Sequence, residues 1–215
     1  MQNTLTTDDL TMTDWPRTAI GIGHNAPPEP VSLWHKHMWE RARAEQAAKR
    51  PSLAVIRMQM ARAAELGMSH ADYAALHRTA GRDPAGLIFT PAALNLRLAR
   101  RLVLPDAVRA HLARLRDCHL LALAPEGEAP DAFLEELREV SALPFATATA
   151  MPSEQTSWPG LVQAIRSALD PLRLPGSALA LIGALPTEAR LCAALCTAGR
   201  LAGVLDSNAY FRPAR

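Results

Sequence analysis

The chain has little of several things, and each shortage narrows the reading. Aromatic residues make up only 5% of its 215 residues. Leu, Ala, Val and Ile must therefore fill the core, and such cores usually rest on helices and buried parallel strands. No apolar run approaches the roughly 20 residues of a spanning helix; the longest, Ala178 to Leu185, is far shorter. The N-terminus lacks a basic start and an apolar stretch, and carries Asp8, Asp9 and Asp14, so it does not read as a signal peptide. Three cysteines, Cys118, Cys192 and Cys196, are too few and too irregular for a disulfide framework. A reducing compartment is expected, and the chain reads as cytoplasmic. Lysine is nearly absent, with only Lys36 and Lys49, so arginine fills the basic positions.

What is present is split in two. Residues 1–116 carry 16 Lys and Arg against 10 Asp and Glu, whereas residues 117–215 carry 7 against 11. The basic half could face a polyanion, or the excess could reflect arginine-rich coding. The hydrophobic content of 49% is ordinary for a globular protein.

Residues 1–31, rich in Thr and Asp and then in Pro, read as a mobile tail. Within them, Ile20-Gly21-Ile22-Gly23-His24-Asn25 lacks the flanking strand and helix of a phosphate loop. Residues 32–116 read as a helical region. Ser32 caps a helix to about Lys49, Pro51 breaks it, and further helices span about Ser52–Leu66 and Ser69–Thr79. Gly67 and Gly81 provide C-terminal stops. Leu87-Ile88-Phe89-Thr90 is a strand or a buried turn. Pro91 starts a helix to about Arg101, and Pro105 starts one to about Arg116. From residue 117 the pattern changes. Apolar runs at Cys118–Ala124, Phe145–Ala150, Ser177–Ile182 and Leu201–Leu205 alternate with helices at Asp131–Val140, Trp158–Leu172 and Pro186–Ala198. That order predicts an α/β domain over 117–215 with a small, mostly parallel sheet and flanking helices.

Two sites stand out. Ala63, with Gly67 four residues on and a capped helix behind, describes a helix-turn-helix or a plain helical hairpin. In a DNA reader His70, His77 and Arg78 would lie near the groove, and Arg57, Arg62 and Arg82 could hold phosphates. Asp72 and the shortage of Arg, Asn and Gln on the second helix argue for the hairpin. The second site is the turn after the strand ending at Ile182. Gly183, Thr187 and Glu188 open a helix there, where an anion could sit at the carboxyl edge of a sheet. Trp34, in a basic amphipathic segment with Lys36, Met38, Trp39, Arg41 and Arg43, is a docking element or a packing residue. The histidines lack metal-ligand spacing, so no metal or other cofactor is expected. Cys192 and Cys196 share one helix face among apolar residues and read as core thiols.

Two stretches resemble known families. Ile22-Gly23-His24-Asn25, together with Arg62-Ala63-Ala64-Glu65-Leu66-Gly67 through Tyr73, resembles uncharacterised bacterial proteins with an Ile-Gly-His-Asn start and a similar hairpin. That resemblance implies kinship and no activity. Leu181-Ile182-Gly183-Ala184, with Ala198-Gly199-Arg200-Leu201-Ala202-Gly203-Val204, is similar to the last strand-helix-strand of haloacid dehalogenase-like phosphatases. Those have Gly-Asp where this chain has Gly183-Ala184, and their nucleophilic aspartate has no match in Cys118–Pro125. The resemblance implies a copy without nucleophile or metal.

No catalytic constellation is legible. The expected function is that of a non-catalytic regulatory or adaptor protein that engages DNA or a partner protein through its helical half. The alternative is an enzyme or binding protein for a phosphorylated small molecule at the carboxyl edge of the sheet.

Overall fold

A computed structural model describes residues 38–39, 41, 51–98 and 102–212. The expected tail over 1–31, the Ser32 cap and Trp34 lie outside the described residues. Before the main unit, Met38, Trp39 and Arg41 are helical and exposed.

The unit that begins at Ser52 is built on five parallel strands. These are β1 (Gly86–Phe89), β4 (His119–Ala124), β5 (Phe145–Ala150), β6 (Leu179–Gly183) and β7 (Gly203–Asp206), in spatial order β5-β4-β1-β6-β7. A small antiparallel pair, β2 (Arg97–Leu98) and β3 (Leu102–Val103), stands apart from the sheet. The helices are α1 (Leu53–Glu65), α2 (His70–Ala80), α3 (Asp106–Leu112), α4 (Pro130–Ser141), α5 (Trp158–Leu169), α6 (Leu185–Gly199) and the single turn α7 (Ser207–Tyr210).

The α/β class is as the strand and helix pattern predicts, but the expected boundary at residue 117 is not there. Residues 86–89, from the stretch read as helical, form the central strand, pairing β4 on one side and β6 on the other. A helical domain ending at 116 would remove the middle of the sheet. The helix expected from Pro91 to about Arg101 is not formed by residues 91–98. The Thr90 hydroxyl accepts from the Ala93 amide at 3.1 Å and holds one turn. Asn95, at φ +50°, then enters the left-handed region and ends it.

Strand order explains the layering. Chain order leaves β1 toward β5 through β4, then returns across the sheet to β6 and β7. Right-handed crossovers in opposite directions place their helices on opposite faces. One face packs Leu87, Phe89, Leu120, Ala122 and Ile182 against α3 and α4. The other packs Ile88, Leu121, Leu123, Leu179 and Leu181 against α5 and α6. Alternate residues of each strand thus serve alternate cores. The scarce aromatics are not shared out: all four Phe and both Tyr join the first core, as buried members or packed against it. The second core is aliphatic, with Cys192 among its buried members.

The α1–α2 hairpin belongs to the first core. Ala63, Leu66, Tyr73 and Leu76 are buried there, and the Tyr210 hydroxyl donates to the Leu66 carbonyl at 2.9 Å. Gly67 (φ +65°) makes the turn. A side chain on it would fall 2.5 Å from Nε2 of His111 on α3, so the turn and α3 approach only because this residue is glycine. Burial, and then the charge of Arg114, lower the pKa of His111.

Candidate functional sites

In an open parallel sheet, ligands bind beyond the carboxyl ends of the strands, where the strand order reverses. Here that point lies between β1 and β6. The residue following β1 is Thr90, fully buried. Its hydroxyl donates to Glu188 Oε2 at 2.6 Å, and the same oxygen accepts from the Ala184 amide at 3.0 Å. The Glu188 carboxylate therefore occupies the start of α6, where an external anion would have been expected to sit. Thr187 is exposed, and its hydroxyl turns back to the Ala184 carbonyl at 3.1 Å. Gly183 also has a packing role: a Cβ there would meet Cys192 Sγ at 2.3 Å. The turn after β6 is thus closed by its own residues.

Replacing Glu188 with Ala is expected to leave the Thr90 hydroxyl and Ala184 amide without their acceptor. A loss of about 1–3 kcal/mol in a urea unfolding curve would follow. No loss would mean that the carboxylate is not the anchor of this corner.

Burial, assisted by Glu188 and Cys196, pushes the Cys192 thiol up to about 12. Burial likewise pushes Cys118 up to about 12. Both stay protonated at neutral pH, so neither is an activated nucleophile. Among the described residues, no three His, Cys, Asp or Glu side chains are grouped to hold a metal ion. No helix there is long and apolar enough to cross a membrane.

The second set of candidate residues is on the hairpin, and the structure divides it. Arg62 is spent internally. Its guanidinium donates to Asp83 at 2.8 Å, to Glu65 at 2.9 Å, and to the carbonyls of Asp117, Arg116 and Pro84 at 3.0, 3.3 and 3.3 Å. Asp83 also accepts from the Tyr73 hydroxyl at 2.9 Å. That bond and the larger effect of burial push the Tyr73 pKa up to about 12. His70 is partly buried, with Nε2 enclosed and lacking a hydrogen-bond partner. His77 is partly buried against the Tyr73 ring, with centroids 5.9 Å apart. Arg57, Arg78 and Arg82 are exposed. The hairpin residues are brought to one region, but only these three arginines are presented to solvent as cations.

The helical pattern did not reveal how little of α1 is buried. Only Ala63 of its thirteen residues is fully buried. Leu53, Met58 and Met60 are 74%, 64% and 54% exposed, and Ala54, Ala61 and Ala64 are exposed beside them. At 100° per residue these share one side of the helix, opposite Ala63 and Leu66. Two charges lie in the same arc: Arg57, and Glu65, which is paired with Arg62. The signal was available in the sequence, since Leu53, Ala54, Met58, Met60, Ala61 and Ala64 leave α1 almost without a polar face.

Sequence reasoning also missed Thr90, hidden in a stretch that could have been a turn. It missed Asp206, whose Oδ2 caps the Ala209 amide at 3.3 Å while Oδ1 is buried without a hydrogen-bond partner. Finally it missed a cleft of about 410 Å³ between the loop after β5 and the first turns of α6.

No protein-family model matches the chain, nor does any curated protein or solved structure.

Proposed function

We propose that the chain is a non-catalytic adaptor or regulatory protein that docks a partner protein on the outward face of α1. The observation that carries this reading is the exposed apolar face formed by Leu53, Met58 and Met60. A helix apolar on both sides is normally covered on both, and contiguous apolar surface on a soluble protein commonly marks an interaction site. The closed corner at Thr90 and Glu188 supports a non-catalytic role. So does the resemblance to haloacid dehalogenase-like phosphatases, whose nucleophilic aspartate has no match in Cys118–Pro125 and whose Gly-Asp is Gly183-Ala184 here. The three free cysteines suit a reducing cytoplasm.

A DNA-binding version would rest on Arg57, Arg78 and Arg82. It is disfavoured because Tyr73 and Leu76 commit α2 to the core and Arg62 is already paired. Salt-sensitive retention on heparin or duplex DNA, lost when these three arginines become Gln, would favour it over protein docking. The phosphorylated-ligand alternative is disfavoured by the Glu188 carboxylate at the start of α6.

Photo-crosslinking from position 58 in cells tests the docking reading. A discrete crosslinked protein product is expected, and it should disappear when Leu53 and Met60 are both changed to Glu. A product that survives those changes, or none beyond the yield at exposed Arg82, would count against docking on this face.

A further inference from the structure

We propose that the cleft at the carboxyl end of β5 binds a zwitterionic small molecule the size of an amino acid with an apolar side chain. This site is independent of the α1 face. It is lined by the loop that leaves β5, by Leu161 of α5 and by Arg190, Leu191 and Ala194 of α6. Its volume of about 410 Å³ is within the range of small-molecule sites.

The lining determines the chemistry. Leu161, Leu191 and Ala194 give one apolar wall. Ser153, Thr156 and Gln155 offer hydroxyls and an amide, and Glu154 and Arg190 bring one charge of each sign. These two charges do not neutralise each other. Neither Glu154 nor Arg190 takes part in the ion pairs of Arg62 and Arg109. A ligand with a carboxylate and an ammonium would satisfy both. The carboxylate would meet the Arg190 guanidinium, with its planar fork of donors, and the ammonium would meet Glu154. A phosphate dianion would suit Arg190 but face Glu154 unfavourably. The apolar wall would take the ligand's side chain.

The loop is held in shape before any ligand arrives. The Met151 amide donates to the Ala124 carbonyl at 2.9 Å, tying the loop to β4. The Thr156 amide donates to the Ser153 carbonyl at 3.1 Å, and the two hydroxyls are 3.2 Å apart. Pro152 is buried beneath them. A preformed loop lowers the ordering cost of binding.

The experiment is calorimetric titration of the full chain with L-leucine, N-acetyl-L-leucine, L-leucinamide and inorganic phosphate. L-leucine should bind saturably. The acetylated and amidated analogues, each lacking one charge, should bind on the order of tenfold more weakly or worse. Arg190→Gln and Glu154→Gln should each weaken leucine by a similar factor. Both side chains are exposed, so thermal melts of these variants should match the parent and separate lost binding from lost folding. The proposal is overturned if leucine shows no saturable binding at millimolar concentration. Phosphate or an analogue binding as tightly as leucine would overturn it too, as would variants that leave leucine affinity unchanged.

Discussion

Changing Gly176 to Ala is expected to destabilise the protein by about 3 kcal/mol or more, lowering the thermal midpoint by roughly 6–12 °C. Gly176 starts the short turn that leads into β6, and it lies against the end of α6. A Cβ there would be 1.8 Å from the Gly199 carbonyl oxygen and 3.2 Å from that of Arg200. Both obstacles are backbone, so no side-chain rotation relieves them. The Gly199 end cannot easily retreat, because its own missing Cβ is crowded by Ile165 at 2.6 Å. Either the turn moves away from α6 or β6 enters the sheet displaced. Urea unfolding should show a lower midpoint at an unchanged slope. A change within about 0.5 kcal/mol, the range of ordinary surface substitutions, would show that the turn and α6 are not packed this closely.

Arg62→Ala should cost about 2–4 kcal/mol, since it removes charge-assisted hydrogen bonds and leaves Asp83 without its cation. The Arg62 side chain is only 17% exposed, so solvent cannot replace most of these partners. The five acceptors lie on three pieces of chain: the end of α1, the turn at 83–84 that precedes β1, and the turn at 116–117 that precedes β4. Arg62 therefore fastens the hairpin to the two central strands. Arg62→Lys should recover little, because one ammonium cannot span acceptors placed for a planar fork. Equal stability of Arg62→Lys and the parent would contradict this role. A phosphate-binding role would instead predict a variant of normal stability with weakened polyanion binding.

Much of the architecture could be read from the residues. The strands at 119–124, 145–150 and 179–183 are continuous apolar or alternating runs bounded by Pro, Gly and caps, so local pattern and tertiary role agree. The cap at Ser69 and the glycine stops at Gly67 and Gly81 were equally plain. The central strand was not. Gly86–Phe89 is only four residues long, buried on both faces, and preceded by two helices, so neither length nor alternation distinguishes it from a turn. That one ambiguity helped to place the apparent domain boundary at residue 117, whereas the unit begins at Ser52. The helix expected from Pro91 failed because Thr90 can cap a single turn as readily as it can start a helix.

The sites were less legible, for a physical reason. Glu188 and Gly183 could be picked out as residue types suited to an anion site, but the sequence does not say that Glu188 itself fills that place. Its partner, Thr90, is 98 residues away in the chain. Arg62 likewise reads as a free cation until the turns at 83 and 116 are brought beside it. Arg190 and Glu154 share a cleft only because the loop after β5 meets α6 across the sheet edge. The sequence likewise does not say which side of α1 faces outward, because apolar residues lie all round that helix.

The thermal midpoint of the protein carrying both Leu53→Glu and Met60→Glu decides whether the outward face of α1 meets solvent in the protein alone, as a face kept apolar for a partner must. Substitutions at exposed positions each change stability by about 0.5 kcal/mol or less, so for the pair the midpoint should stay within about 4 °C of the parent. A fall of about 5 °C or more would mean that this face is covered by the chain's own packing. The protein would then have no docking surface there.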